Sequence, residues 1–150
     1  MLLFPGSKLD ICNSYLIDRL QAVQNCAARF ATRSRKHDHI TPILKQLHWL
    51  PVYSRIKYKI LLLTFKAVHG LAPSYITGML QPYRSSRSLR SASKRLLTIP
   101  SAKLKKYGCT SSSFAAPTIW NSLPEPIRNH NDISKFKTSI KTSLFKEHFN

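Results

Sequence analysis

Apolar residues recur along this chain at helical spacing, and they predict most of its elements. Leu16, Leu20, Val23, Ala27 and Phe30 fall on one stripe, so Tyr15 to about Thr32 reads as an amphipathic helix with Ser14 as its cap. Thr41-Pro42 reads as a second start, a hydroxyl cap followed by proline, with Ile43, Leu44 and Leu47 as the buried side. Pro51 stops that segment. A longer helix follows from about Val52 to His69. Ile56, Ile60, Leu63 and Ala67 make its stripe, widened by Leu61, Leu62, Phe65 and Val68. Gly70 suits the left-handed residue after its end. Pro73 opens a short helix through Leu80, weakened by Gly78. Near the C-terminus, Ile133, Phe136, Ile140 and Leu144 define another amphipathic helix, capped by Asn131 or Asp132, with Lys135, Lys137, Lys141 and Lys146 on its wet side.

Between these helices the pattern breaks. Arg84 to Arg95 reads RSSRSLRSASKR, which holds one large apolar residue and reads as a loop or arm. Leu96 to Ile99 is a short strand candidate ended by Pro100. Ser111 to Leu123 is small, polar and interrupted by proline, and reads as a loop anchored by Trp120. The expected fold class is mainly α: a small helical bundle with a basic loop/short-strand segment and a C-terminal amphipathic helix. Four stretches follow: a lead-in over 1–14, a helical unit over 15–80, a basic segment over 81–118, and the Trp-anchored loop with the last helix over 119–150.

Charge changes this picture. The chain of 150 residues carries 24 Lys and Arg against 6 Asp and Glu, a formal net charge of +18. From His39 to Pro124 there is no acidic residue in 86 positions, while 13 are Lys or Arg. So one-sided a surface repels itself unless it meets a polyanion, and nucleic acid is the commonest one. The candidate phosphate-contacting residues are Arg33, Arg35 and Lys36 after the first helix, Arg84, Arg87, Arg90, Lys94 and Arg95 in the serine-rich arm, and Lys103, Lys105 and Lys106 beyond it. The bland alternative for the first group is a set of cations that complements the helix dipole. Tyr53, Tyr58, Tyr83 and Tyr107 lie among basic residues and offer stacking faces, with burial in a core the equal alternative for each. Backbone contacts of this kind position nucleic acid without reading its sequence.

The same gap weighs against chemistry. It removes the carboxylates that hold the cations of two-metal phosphoryl transfer. His37 and His39 with Cys26 or Cys109 lack the paired cysteines of a zinc knuckle. Cys109 is a lone cysteine in a polar loop, and four unpaired glycines make no phosphate loop. The expectation is no catalytic residue, no metal, no cofactor and no small-molecule substrate. Three scattered cysteines give no disulfide framework, and no apolar run reaches the ~20 residues of a membrane span. An intracellular protein, cytoplasmic or nuclear and off the membrane, is the expectation.

Several blocks also carry a resemblance. DRLQAVQNCAARF (Asp18–Phe30) precedes DHITPILKQLHWLPVYSRIKYKILLLTFKAVHGLAPSYI (Asp38–Ile76). PYRSSRSLRS (Pro82–Ser91), KKYGCTSSSFAAPTIWNSLPEPIR (Lys105–Arg128) and FKTSIKTSLF (Phe136–Phe145) follow in order. The chain resembles the C-terminal region of the reverse transcriptase polyprotein of LINE-type (non-LTR), jockey-like retrotransposons, over roughly residues 7–150. The resemblance implies a segment downstream of the polymerase palm of an RNA-directed DNA polymerase. The Asp-Asp motif of such a palm does not occur here. The implied role is non-catalytic contact with template RNA or target DNA, beside the remainder of the polyprotein. Two alternatives stand: a scaffold whose apolar faces around Ile56 and Phe136 dock on the polymerase thumb, or a non-functional translated transposon remnant.

Overall fold

The computed structural model describes residues 8–83, 95–101 and 112–149, apart from the side chains of residues 8–15 and Ser112. Among the described residues the fold is mainly α, with helices α1 (Lys8–Thr32), α2 (Ile40–Gln46), α3 (Val52–Val68), α4 (Ser74–Thr77), α5 (Ser112–Asn121), α6 (Glu125–Arg128) and α7 (Ile133–Phe149). They divide between two compact units, Met1–Ile56 with Ser143–Asn150, and Lys57–Thr142. Helices α3 and α7 each contribute residues to both.

In the first unit the core is small. Ala28 of α1 meets Ile43 and Leu44 of α2, with Ile40, Leu47 and Phe149 packed on them. Phe145 stacks on His48 at 5.6 Å and lies 4.6 Å from Phe149. The side of α1 that turns inward is polar. Gln24 is buried and donates through Nε2 to the Leu50 carbonyl at 2.8 Å. Gln21 Oε1 accepts from the Val52 N–H at 2.9 Å, where α3 starts and its first N–H groups have no helical partner. The apolar stripe of α1 is therefore not its buried side. Leu16, Leu20, Val23 and Phe30 are 58%, 56%, 67% and 87% exposed. Ser14 lies inside α1 and cannot cap it. Thr41 also lies inside its helix; His39, in extended backbone and without a side-chain cap bond, is the residue before α2.

In the second unit the core is aromatic. Phe65 and Phe136 stack at 4.1 Å, and Trp120 lies 5.7 Å from Phe136. All three are fully buried, as is Leu61. The α7 stripe is as expected: Phe136 and Ile140 are buried in this unit, and Leu144 is buried in the first. Asp132 Oδ1 accepts from the Ser134 N–H at 3.0 Å and caps the helix. Phe136 therefore belongs to the core and offers no docking face. On α3 the expected apolar arc is buried in part: Leu61, Phe65 and Ala67 face inward with Thr64 among them, while Ile56 and Leu63 are exposed. Thr64 satisfies its hydroxyl by donating to the Ile60 carbonyl at 2.9 Å, so a polar residue sits within the apolar face.

The loop expected from Ser111 to Leu123 is largely helix α5, with Pro117 inside it. Ala116, Pro117 and Trp120 fill its buried side. The strand expected at Leu96–Ile99 is reduced to one antiparallel bridge, Leu97 with Pro82, flanked by Tyr83 N–H to Leu96 C=O at 2.9 Å and Thr98 N–H to Gln81 C=O at 2.8 Å. Arg128 is buried, and its Nη1 donates to the Asn121 carbonyl at 3.1 Å at the C-terminal end of α5, where a cation complements the dipole.

Helices α1, α2 and α3 end alike. After each, one residue turns left-handed: Arg33 at φ 53°, His48 at φ 54° and Gly70 at φ 68°. The residue beyond reaches back to an orphan carbonyl, Ser34 to Arg29 at 3.0 Å, Trp49 to Leu44 at 2.9 Å and Leu71 to Lys66 at 2.7 Å. Only the third position is glycine. At the other two a Cβ costs about 1 kcal/mol against glycine.

Candidate nucleic-acid interface

Four of the candidate cations are described, Arg33, Arg35 and Lys36 in the first unit and Arg95 alone in the second. The first three lie on the turn after α1. Arg33, Arg35 and Lys36 are all exposed. Asp38 fixes the turn by accepting from the Arg35 N–H at 2.7 Å through Oδ2, and its own N–H donates to the Arg35 carbonyl at 3.2 Å. Arg29 Nη2 donates to the Asp38 carbonyl at 3.3 Å. The acid that immediately precedes the acid-free stretch thus supports the backbone under the cationic side chains. His37 and His39 are exposed on the same turn.

The second unit's cation is Arg95. Its backbone is left-handed, φ 46°, which is strained for a residue with a side chain. Three contacts hold it there. Trp120 Nε1 donates to the Arg95 carbonyl at 2.8 Å, and the guanidinium reaches His69 Nε2 at 3.3 Å and Asn131 Oδ1 at 2.8 Å. Arginine has donors only, so His69 Nε2 must accept, and His69 Nδ1–H donates to the Phe65 carbonyl at 2.9 Å. Neither of these partners of the guanidinium is a carboxylate. Its charge is therefore oriented without being cancelled by them, and it has further N–H groups to offer. A cavity of about 440 Å³ adjoins it, with Val68, Leu80 and Leu97 among its apolar walls and Thr77, His69 and Arg95 among its polar ones.

Arg84, Arg87, Arg90, Lys94, Lys103, Lys105, Lys106, Tyr107 and Cys109 lie outside the described residues. Of the tyrosines, Tyr53 and Tyr83 are exposed and Tyr58 is half-buried. The left-handed arginines are what sequence reasoning missed, because no residue type or spacing in the sequence marks a strained arginine. Among the described residues no group of three His, Cys, Asp or Glu is placed to hold a metal ion, Cys26 is an exposed free thiol, and no helix is long and apolar enough to cross a membrane. Comparison with protein-family models, curated proteins and solved structures finds no significant match to this chain.

Proposed function

We propose that the chain is a non-catalytic segment of a retrotransposon-type reverse transcriptase polyprotein, and that it holds template RNA or target DNA by the phosphate backbone. The observation that carries this reading is the pair Arg33 and Arg95. Both stand at left-handed backbone positions where glycine is lower in energy. Both carry instead the side chain best suited to a phosphate. Strain kept at a position points to a use for the residue that bears it. The acid-free, strongly basic stretch from His39 to Pro124 supplies the long-range field that brings a polyanion to them.

The test is a salt titration of binding to single-stranded RNA and to duplex DNA. Affinity falls steeply with salt, and each removed phosphate contact lowers the slope by about 0.7 for a single strand. The variant carrying Arg33→Gly, Arg35→Ala and Lys36→Ala binds more weakly across unrelated sequences. It keeps or gains stability, because glycine relieves the left-handed helix end. Equal affinity and an equal salt slope in wild type and variant would reject the reading. So would primer extension by the purified chain, which a non-catalytic segment does not perform.

A further inference from the structure

The outward side of α1 carries a seam that its own unit leaves open. Leu16, Leu20, Val23 and Phe30 are each more than half exposed, and Ala27, between them, is exposed too. Their spacing alternates four and three, which is the register of a coiled-coil seam. The seam is narrow. Arg19 and Cys26 border it on one side, and Ile17, Gln24 and Ala31 on the other. A helix that lies on a bilayer needs a broader apolar arc, whereas a two-residue-wide seam takes another helix.

Charge decides which helix. The exposed cluster Arg33, Arg35 and Lys36 closes the seam at its C-terminal end. A parallel second copy would set that cluster beside itself. An antiparallel copy would set it beside the start of the seam, where Asp18 and Arg19 balance, so no net attraction results. We infer that the Leu16–Leu20–Val23–Ala27–Phe30 face of α1 docks an amphipathic helix of another protein segment, whose own apolar seam is flanked by Asp and Glu. The acidic flanks meet the basic cluster and set the orientation, and the apolar seam supplies the affinity. The proposed phosphate contact uses the same Arg33, Arg35 and Lys36 cluster, whereas the seam residues are uncharged, so substitutions in the seam test this inference separately.

The full chain is titrated with a synthetic leucine-seam helical peptide bearing Glu flanks, and with the same peptide bearing Lys flanks. The Glu peptide binds at least ~10-fold more tightly than the Lys peptide, and Leu20→Asp with Val23→Asp weakens it ~100-fold. Circular dichroism of that variant stays that of the wild type, because both side chains already face solvent. Phe30→Ser, at the most exposed seam position, gives a second and milder loss. Equal binding of the two peptides, or Glu-peptide binding that both variants leave unchanged, overturns the inference. A dimer in sedimentation that the Asp variant dissolves would assign the face to a second copy and overturn it. Co-sedimentation with phosphatidylserine vesicles, lost in the Asp variant and without peptide binding, would assign it to a membrane and overturn it equally.

Discussion

Asn121 grips Leu97 by both of its backbone polar groups. Its Oδ1 accepts from the Leu97 N–H at 3.0 Å, and its Nδ2 donates to the Leu97 carbonyl at 2.8 Å. The side-chain amide thus does what a neighbouring strand's backbone does in a sheet. Leu97 is buried, so its backbone groups need these partners. Asn121→Asp keeps the shape and turns an acceptor toward the Leu97 carbonyl. The expected loss is about 1–3 kcal/mol in urea-denaturation stability. A stability equal to wild type would mean that the clip contributes nothing.

Arg95 and Trp120 make a second linked pair. At φ 46° the usual preference of alanine over glycine reverses. Both Arg95→Ala and Arg95→Gly lose the bonds to His69 and Asn131. Arg95→Gly is expected to be the more stable of the two by about 1 kcal/mol in thermal melts. Trp120→Phe keeps most of the buried ring and removes the bond to the Arg95 carbonyl. It is expected to destabilise by about 1–3 kcal/mol, and urea titration reads the change.

Gly70 isolates the backbone term. A Cβ there meets no atom within 4 Å, so the left-handed φ of 68° is the whole obstacle. Gly70→Ala is expected to cost about 1 kcal/mol in thermal or urea unfolding. A loss several times larger would require steric contact that the surroundings of Gly70 do not offer.

The two apolar stripes of α1 and α7 should respond in opposite ways. Phe136→Ala empties a fully buried site between Phe65 and Trp120 and is expected to cost about 3–5 kcal/mol. Val23→Ser, at a site 67% exposed, is expected to change stability by less than about 0.5 kcal/mol. Urea titrations of the two variants side by side check the assignment of faces.

That contrast also marks how far the sequence could be read. Periodicity located α1, α3 and α7, and for α7 it named the buried side correctly. For α1 it found a real apolar stripe, but period alone does not say whether a stripe meets its own core or faces outward. The inward side of α1 is held by Gln21 and Gln24 through backbone hydrogen bonds, and glutamine on a helix reads as a wet residue. On α3 a threonine that bonds its own helix entered the core, which shifted the face away from Ile56 and Leu63. Helix α5 escaped notice because Pro117 and a run of small residues read as a loop. The basic cluster at Arg33–Lys36 was visible as composition. The strain beneath Arg33 and Arg95 was not, since φ is fixed by the cap geometry and by Trp120 rather than by residue type.

The way α1 is fastened gives it an unusual calorimetric signature. Among its described side chains the fastening is Ala28 against Ile43 and Leu44, the buried Gln24 amide and the half-buried Gln21 amide. It rests more on polar contacts than the aromatic core of the second unit does. Heat capacity of unfolding scales with such surface, apolar exposure raising it and polar exposure lowering it. Opening these α1 contacts would therefore raise the heat-capacity baseline less than loss of the fully buried Phe65–Phe136–Trp120 cluster. Nor should cold loosen the Gln21 and Gln24 bonds, because hydrogen bonds do not weaken on cooling as apolar burial does.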